Sequence, residues 1–582
     1  MVLEQLNIFL ERLDTCTEPL DFLDISEQLT QFAKNYEGIN PPSEFLAESL
    51  AFDLYENNLN WGLYYGPQFG WTDETGTIHQ YPELESITPN VISYWEKRAY
   101  QCKHLNLIIR YSDLVWEFSK IVTQKQASIE LAHYVIDNTI LCAELDFYIS
   151  AVRFKNSLQR ALSISIQIND LVRINKLVDT IIKYEEKVAE DDKPGLWGFS
   201  FDWLIDNKKV NLSDKDADKI INDLEERLDR ISSVDYEYRL SAVELITARL
   251  AKYYRKVNRK DDLYRVLNKF RSVCFQVSEI ANPMESYHWL HKVYTVFKDY
   301  GLNEDAEEIL AQIHLIGTKF ELKKFEHRVK LPVDLINQYI EKITANSPEE
   351  ALKRITIEFM QDVNKLKMQV NDLYKEYPLA FLVNKKLIDH KGRVIATIGP
   401  LEEDEMGNVI NQMSNSMRLQ AIFLRKALEK TFERYELDET KILEYLARSP
   451  AFDDSKKELL LMGLRSYINK DNITAIHILV PLIEDAFRRV LQLCGGVVLK
   501  ENRNGDGFQY KVLDEILRDE KLIKLFGENL MLYFRIVLTD RRGWNVRNEV
   551  AHGLLPKFGF SFEISDRLIH ILLCLEGVRL NA

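Results

Sequence analysis

From the N-terminus to about Thr318 one pattern recurs: apolar residues at three- and four-residue spacing, in segments separated by short polar links. Val91–Val122, Ala127–Tyr148, Leu158–Glu185, Ser241–Lys256, Asp261–Ser278 and Tyr287–Tyr300 all carry it. A segment of this kind has one apolar face, which must be buried on a neighbour of the same kind, so it folds as helix on helix. Asn258-Arg259-Lys260-Asp261 and Gly301-Leu302-Asn303 read as turns between such helices. With only 22 Gly and 15 Pro in 582 residues, breakers are scarce. A mainly α fold is therefore expected, with paired helices stacked as a solenoid-like array, although no clean repeat signature recurs. Such a stack offers a surface to a protein partner or trigger.

This length exceeds a single ordinary core, so about two to four domains are expected. The pattern places a helical region at 1–318 and a linking region at 319–400. A C-terminal helical domain follows at 401–582, with its compact core at 455–582. Pro41-Pro42, the run Gly66–Gly76 and the segment Asp192–Lys208 read as loops. The aromatics Trp61, Trp71, Trp95, Trp116 and Tyr148 are expected in helix packing rather than as a platform for nucleobases. In the linking region, Phe320-Glu321-Leu322-Lys323 and His327–Leu331 are expected to form a short strand. Ser347-Pro348-Glu349-Glu350 reads as a capping box opening a helix that ends near Tyr377-Pro378. Phe381–Ile388 and Val394–Ile398 flank Asp389-His390-Lys391-Gly392 as a small β-hairpin.

The formal net charge of -15 argues against a surface that attracts nucleic acid everywhere, while leaving room for a local basic groove. Met1–Asp14 lacks the basic start and apolar core of a signal peptide and reads as an amphipathic helix. Ile473–Ile483 and Leu568–Leu575 are far too short to cross a bilayer, so a cytoplasmic protein without membrane contact is expected. The six cysteines are scattered, which suits reduced thiols and no cysteine-based metal module.

In the C-terminal domain, Ile473–Cys494 reads as a helix with one apolar face: Ile473, Ile476, Val480, Ile483, Phe487, Val490, Leu491 and Cys494. Beside it runs a stripe of His477, Pro481, Glu484 and Arg488. Glu484 and Arg488, one turn apart, have the spacing of a surface pair; Glu484 is equally the nearest carboxylate to orient an arginine on a facing helix. The Gly-rich run 502–507 lacks Gly-Lys-Ser/Thr and reads as a turn between helices, not a phosphate loop. Short helices are expected at Val512–Arg518 and Leu522–Phe526, then a longer one at Glu528–Leu538. The basic turn Arg541-Arg542-Gly543 leads into a helix expected over 544–554, and a last helix covers Ser565–Val578.

At about 100° per residue, Val546, Val550 and Leu554 fall on one stripe of the 544–554 helix, and Asn545, Asn548 and His552 on another. Arg547 falls among the apolar positions. There it must snorkel, pair with a carboxylate or line a groove. An arginine can hold a phosphate and an imidazole can move a proton near neutrality. With 11 His in 582 residues, a histidine follows a given arginine at five positions by chance about 2% of the time, so the spacing alone is unspecific.

The fuller pattern Arg547-Asn548-Glu549-Val550-Ala551-His552 resembles the Arg-x4-6-His motif of the HEPN superfamily, including the polar residue after the arginine. The region 455–582, with Pro481-Leu482-Ile483-Glu484 and Val546-Arg547-Asn548-Glu549-Val550-Ala551-His552-Gly553, also resembles the bacterial family of unknown function DUF4209. The N-terminal region matches only in style, through segments such as Arg110-Tyr111-Ser112-Asp113-Leu114-Val115-Trp116-Glu117. The resemblance implies a HEPN-like helical bundle acting as a metal-independent endoribonuclease, a regulated toxin or anti-phage effector, whose active site forms across a homodimer. It implies Arg547 and His552 as the catalytic pair with Asn548 as polar helper. Glu484 and Asn545 as supports, and Arg541 and Arg542 as RNA-binding residues, come from geometry and charge. No cofactor is implied. A metallonuclease finds little support: there is no His-Glu-x-x-His, and Asp453, Asp454 and Glu458 read as a solvated helix start. The alternative is a non-enzymatic helical-repeat interaction protein with a silent HEPN-like dimerisation domain.

Overall fold

The computed structural model describes all residues except 1, 35–40, 57–61, 74–75, 234–238, 318, 320–331, 345–346, 503 and 581–582. The expected strand at Phe320–Leu331, Trp61 and Arg503 lie outside the described residues. The described residues form 26 α-helices and four two-stranded antiparallel hairpins, a mainly α fold. The chain divides into two compact units, Met1–Leu310 and Ala311–Ala582.

In the first unit, consecutive helices pack on one another through most of the sequence. Ala127–Tyr148 forms the single helix Ile129–Leu145, but the two longest segments expected as single helices are each divided. Val91–Val122 becomes Pro89–Gln101 and Leu105–Thr123, and Leu158–Glu185 is spanned by Ala151–Gln167 and Leu171–Val188. Capping explains both breaks. The His104 side chain accepts the Asn106 N–H, while Asn169 turns left-handed and the Asp170 side chain accepts the Arg173 N–H. The hydrophobic period runs through each break, because a cap alters the backbone and not the buried face.

Polar clamps reinforce this unit. Arg110, fully buried, donates to the carbonyls of Ala51 and Leu54 at 2.7 Å each. Arg160 forks Asp113 at 2.7 and 3.0 Å and reaches Glu117 at 2.6 Å. Trp95 and Trp116 are buried and Tyr148 stacks on Phe154, as expected of packing aromatics. Trp71 departs from that expectation. It stands half exposed on the hairpin Phe69–Thr72/Ile78–Tyr81, stacked on His79 across the strands. A two-stranded hairpin buries at most one face, and this one leaves its aromatic face open.

In the second unit a single apolar core runs from Ile340 to Val578. The helices Val333–Ile343, Pro348–Glu358 and Val363–Glu376, within the stretch expected to link two domains, supply Ile340, Leu352, Ile355, Leu366 and Val370 to that core. Ser347 caps its helix by accepting the Glu350 N–H, but the Glu350 carboxylate turns to Arg354 instead of completing a box. That helix stops at Glu358, and Asp362 caps a separate one. The hairpin forms from Lys385–Ile388 and Val394–Ile398, with Phe381 in a short 3₁₀ turn before it. Asn472–Leu493 and Phe562–Glu576 pack together at the centre. On the latter, buried His570 accepts the Tyr533 hydroxyl at Nδ1 (2.8 Å) and donates from Nε2 to the Thr356 carbonyl (3.1 Å). Across all described residues, no helix is long and apolar enough to cross a membrane.

Candidate functional site

The site is built where the chain turns after the helix Glu528–Leu538. The Trp544 N–H donates back to the Ile536 carbonyl at 2.8 Å, pressing the turn onto that helix. Gly543 is required there: a Cβ would meet the Ile536 carbonyl oxygen at 2.4 Å. Asn545 then adopts a left-handed conformation (φ 52°), which asparagine tolerates, and starts a new helix.

That helix is short, Val546–Ala551, rather than the 544–554 expected from periodicity. Gly553 ends it at φ 64°: its N–H bonds the Val550 carbonyl and the Leu554 N–H bonds that of Glu549, a Schellman closure. His552 is consequently the C-cap, not part of a continuous polar stripe.

Arg547 faces the Asn472–Leu493 helix. Its Nε donates to Glu484 Oε2 at 2.7 Å and its Nη2 to Oε1 at 3.3 Å. Glu484 is buried, and the Arg547 side chain keeps 21% of its surface exposed. Arg488, one turn beyond Glu484, bonds the same Oε1. Glu484 thus meets Arg488 on its own helix and Arg547 on the facing one, because one carboxylate has lone pairs for both guanidinium groups; the Glu484–Arg488 pair is buried at its carboxylate rather than lying on the surface.

Asn548 extends the network. Its Oδ1 accepts Arg547 Nη1 at 3.1 Å, and its Nδ2 donates to Asn545 Oδ1 at 2.7 Å. Asn545 Nδ2 in turn reaches Glu549 Oε1 at 3.3 Å. Glu484, Arg547, Asn548 and Asn545 therefore form one connected chain of hydrogen bonds. Arg547 makes three of its five possible donations within it and keeps donors for a ligand oxygen.

His552 is not part of that chain. Its side chain is exposed and makes no hydrogen bond or ion pair among the described residues. Within one molecule no hydrogen bond joins the Arg547 and His552 side chains.

The basic turn also differs from expectation. Arg541 is exposed, but Arg542 is half-buried and forks Asp540 through Nε (3.1 Å) and Nη2 (3.0 Å), with Asp404 at 3.9 Å. Burial would raise the Asp540 carboxyl, yet the Arg542 hydrogen bonds and charge outweigh it and hold its pKa below the ordinary value. Arg542 is an internal partner rather than a solvated cation.

Sequence reasoning missed Tyr510. The Gly-rich run is flanked by two paired strands, Leu499–Glu501 and Phe508–Tyr510, and not by helices. The Arg488 guanidinium carbon lies 5.2 Å from the Tyr510 ring centroid. Asn504-Gly505 between alternating residues was the available signal. Among the described residues no group of three or more His, Cys, Asp or Glu side chains is arranged to hold a metal ion. No protein-family model matches the chain, and no curated protein matches it.

Proposed function

We propose that the chain is an endoribonuclease of HEPN type, with a DUF4209-like C-terminal domain acting as a regulated toxin or anti-phage effector. One observation carries the reading: Arg547 is oriented by Glu484 and Asn548 with donors to spare, and an unpartnered, exposed His552 closes the same short helix. RNA supplies its own nucleophile, the 2′-OH. His552 takes that proton as the oxygen attacks phosphorus, and Arg547 stabilises the charge gathering on the phosphoryl oxygens. The bond to O5′ breaks as a second imidazole delivers a proton. The products are a 2′,3′-cyclic phosphate and a 5′-OH, with no metal ion required. One motif histidine per chain, with no hydrogen bond from it to Arg547, favours a homodimer in which two helices Val546–Ala551 face one phosphate. The first unit then senses a protein partner or trigger.

The test is incubation of the purified chain with single-stranded RNA in EDTA. Cutting to cyclic-phosphate ends is expected, with loss in His552→Ala and no attack on DNA. Intact RNA from dimeric protein, over varied sequences and triggers, overturns the reading.

A second reading has its own observation. Arg547 is committed to Glu484 as a helix-to-helix clamp would be, which suits a silent dimerisation module in a non-enzymatic interaction protein. It expects Arg547→Ala to change melting alone, with no RNA phenotype from His552→Ala.

A further inference from the structure

Glu484 Oε1 receives Arg547 Nη2 and Arg488 Nη2 together, so two guanidinium groups share one carboxylate. These three groups carry a formal charge of +1, and the other carboxylate of the network, Glu549, is joined to them only through Asn548 and Asn545. The Arg488 guanidinium lies over the Tyr510 ring, its carbon 5.2 Å from the ring centroid. Tyr510 is 61% exposed, and its hydroxyl has no partner among the described residues. Phe508 is 76% exposed. The strands pair Leu499 with Tyr510 and Glu501 with Phe508, so alternation puts both aromatic side chains on one face of the hairpin.

We propose that Arg488 and Tyr510 form a nucleotide subsite beside Arg547, where a base of single-stranded RNA stacks on the open side of the Tyr510 ring. The adjoining phosphate is drawn by the surplus charge of the Arg547–Glu484–Arg488 cluster. This rests on the ribonuclease reading for its ligand class, and it adds the place where the base is held. An aromatic face next to net positive charge matches a ligand that is both flat and anionic. A duplex keeps its base faces stacked inside, so an unpaired strand is the form that fits. Stacking without edge contacts tolerates every base, so the subsite sets strandedness rather than sequence.

The test uses the full chain carrying His552→Ala, so that RNA is bound and not cut. Fluorescence anisotropy compares a labelled oligoribonucleotide with one of equal length whose central residues are abasic. Removing the bases should weaken binding roughly 5- to 100-fold, and Tyr510→Ala should weaken binding of the intact oligomer by the same factor. The two losses should not multiply, because both delete one contact. Tyr510→Phe should bind normally. Arg488→Gln should weaken both oligomers and flatten the salt dependence. Normal binding by Tyr510→Ala, losses that multiply, or no binding of either oligomer overturns the subsite. A change in oligomer mass in Tyr510→Ala with RNA binding intact also overturns it, and makes the face a protein interface. Base-dependent binding through Tyr510 without cutting by the parent chain keeps the subsite and removes the nuclease. Cutting by the parent chain with independent losses does the reverse.

Discussion

Arg547 and Glu484, from two helices 63 positions apart in sequence, are joined by two hydrogen bonds, Nε to Oε2 at 2.7 Å and Nη2 to Oε1 at 3.3 Å. This pair docks the helix Val546–Ala551 on Asn472–Leu493 and fixes which donors of the arginine remain available. Glu484→Gln should therefore leave Arg547 and Arg488 facing each other without a counter-charge. We expect a loss of about 3 kcal/mol in the second unit, read by denaturant unfolding, together with loss of RNA cutting. An unchanged midpoint would show that the pair is solvent-screened and contributes little.

His552→Ala should behave differently, since the imidazole is exposed and unbonded. Its stability should stay within about 0.5 kcal/mol of the parent, while cyclic-phosphate product disappears. A melting shift of several degrees would instead place the imidazole in a packing role.

Arg542 and Arg541 should separate in the same way. Arg542→Gln takes the guanidinium fork from the buried Asp540 carboxylate, leaving it the backbone N–H of residue 542 at 2.9 Å and Arg535 at 3.9 Å, and should destabilise by roughly 1–3 kcal/mol, whereas Arg541→Gln should leave stability unchanged. Equal melting temperatures for the two variants would contradict the Asp540 clamp. In RNA-binding assays only Arg541→Gln reports cleanly on electrostatic contact with the strand.

Gly543→Ala should cost roughly 1–3 kcal/mol, because the new methyl meets the Ile536 carbonyl oxygen at 2.4 Å and the turn must lift off its helix. Since Asn545 follows that turn, the variant should also lower RNA cutting. Wild-type melting would show that the turn relaxes freely.

The pH dependence comes from two neighbours on the Phe562–Glu576 helix. Burial, with the nearby Arg567 charge, lowers His570 from its ordinary value to about 3. The unfolded chain therefore binds the extra proton, and the stability His570 contributes is present above about pH 6.5 and is lost as pH falls toward 3. Burial raises Asp566 to about 6 against the opposing charge of Arg425. Its contribution runs the other way, present below about pH 4 and lost as pH rises through 6. Between about pH 4 and 6 the two oppose each other. Asp566→Asn removes one of them, so the variant should lose stability on acidification more steeply than the parent, by up to about 1.4 kcal/mol per pH unit. Parallel stability–pH curves for the two proteins would exclude this coupling.

Much of the fold was legible because a helix announces its buried face in its own sequence. The Glu528–Leu538 helix falls at the bounds expected, and on Asn472–Leu493 the positions Ile476, Val480, Ile483, Phe487, Val490 and Leu491 are all buried. The breaks at Asn169 and His104 were not legible, since a cap interrupts the backbone without interrupting the hydrophobic period. The end of the Val546–Ala551 helix was misplaced for a related reason. Gly553 was visible, but the period continued past it to Leu554.

The sequence by itself determined that Arg547 must snorkel, pair with a carboxylate or line a groove: a guanidinium placed among apolar positions cannot stay buried and unpaired at tolerable energy. It also offered Glu484 as a candidate partner and His552 as a candidate proton carrier. Only the tertiary structure decided that Glu484 serves Arg547 and Arg488 together, that Arg542 belongs to Asp540, and that Tyr510 stands beside the cluster. Local periodicity fixes which side of a helix is buried. Which carboxylate meets which arginine depends on how separate helices pack in space, and that is a property of the whole core.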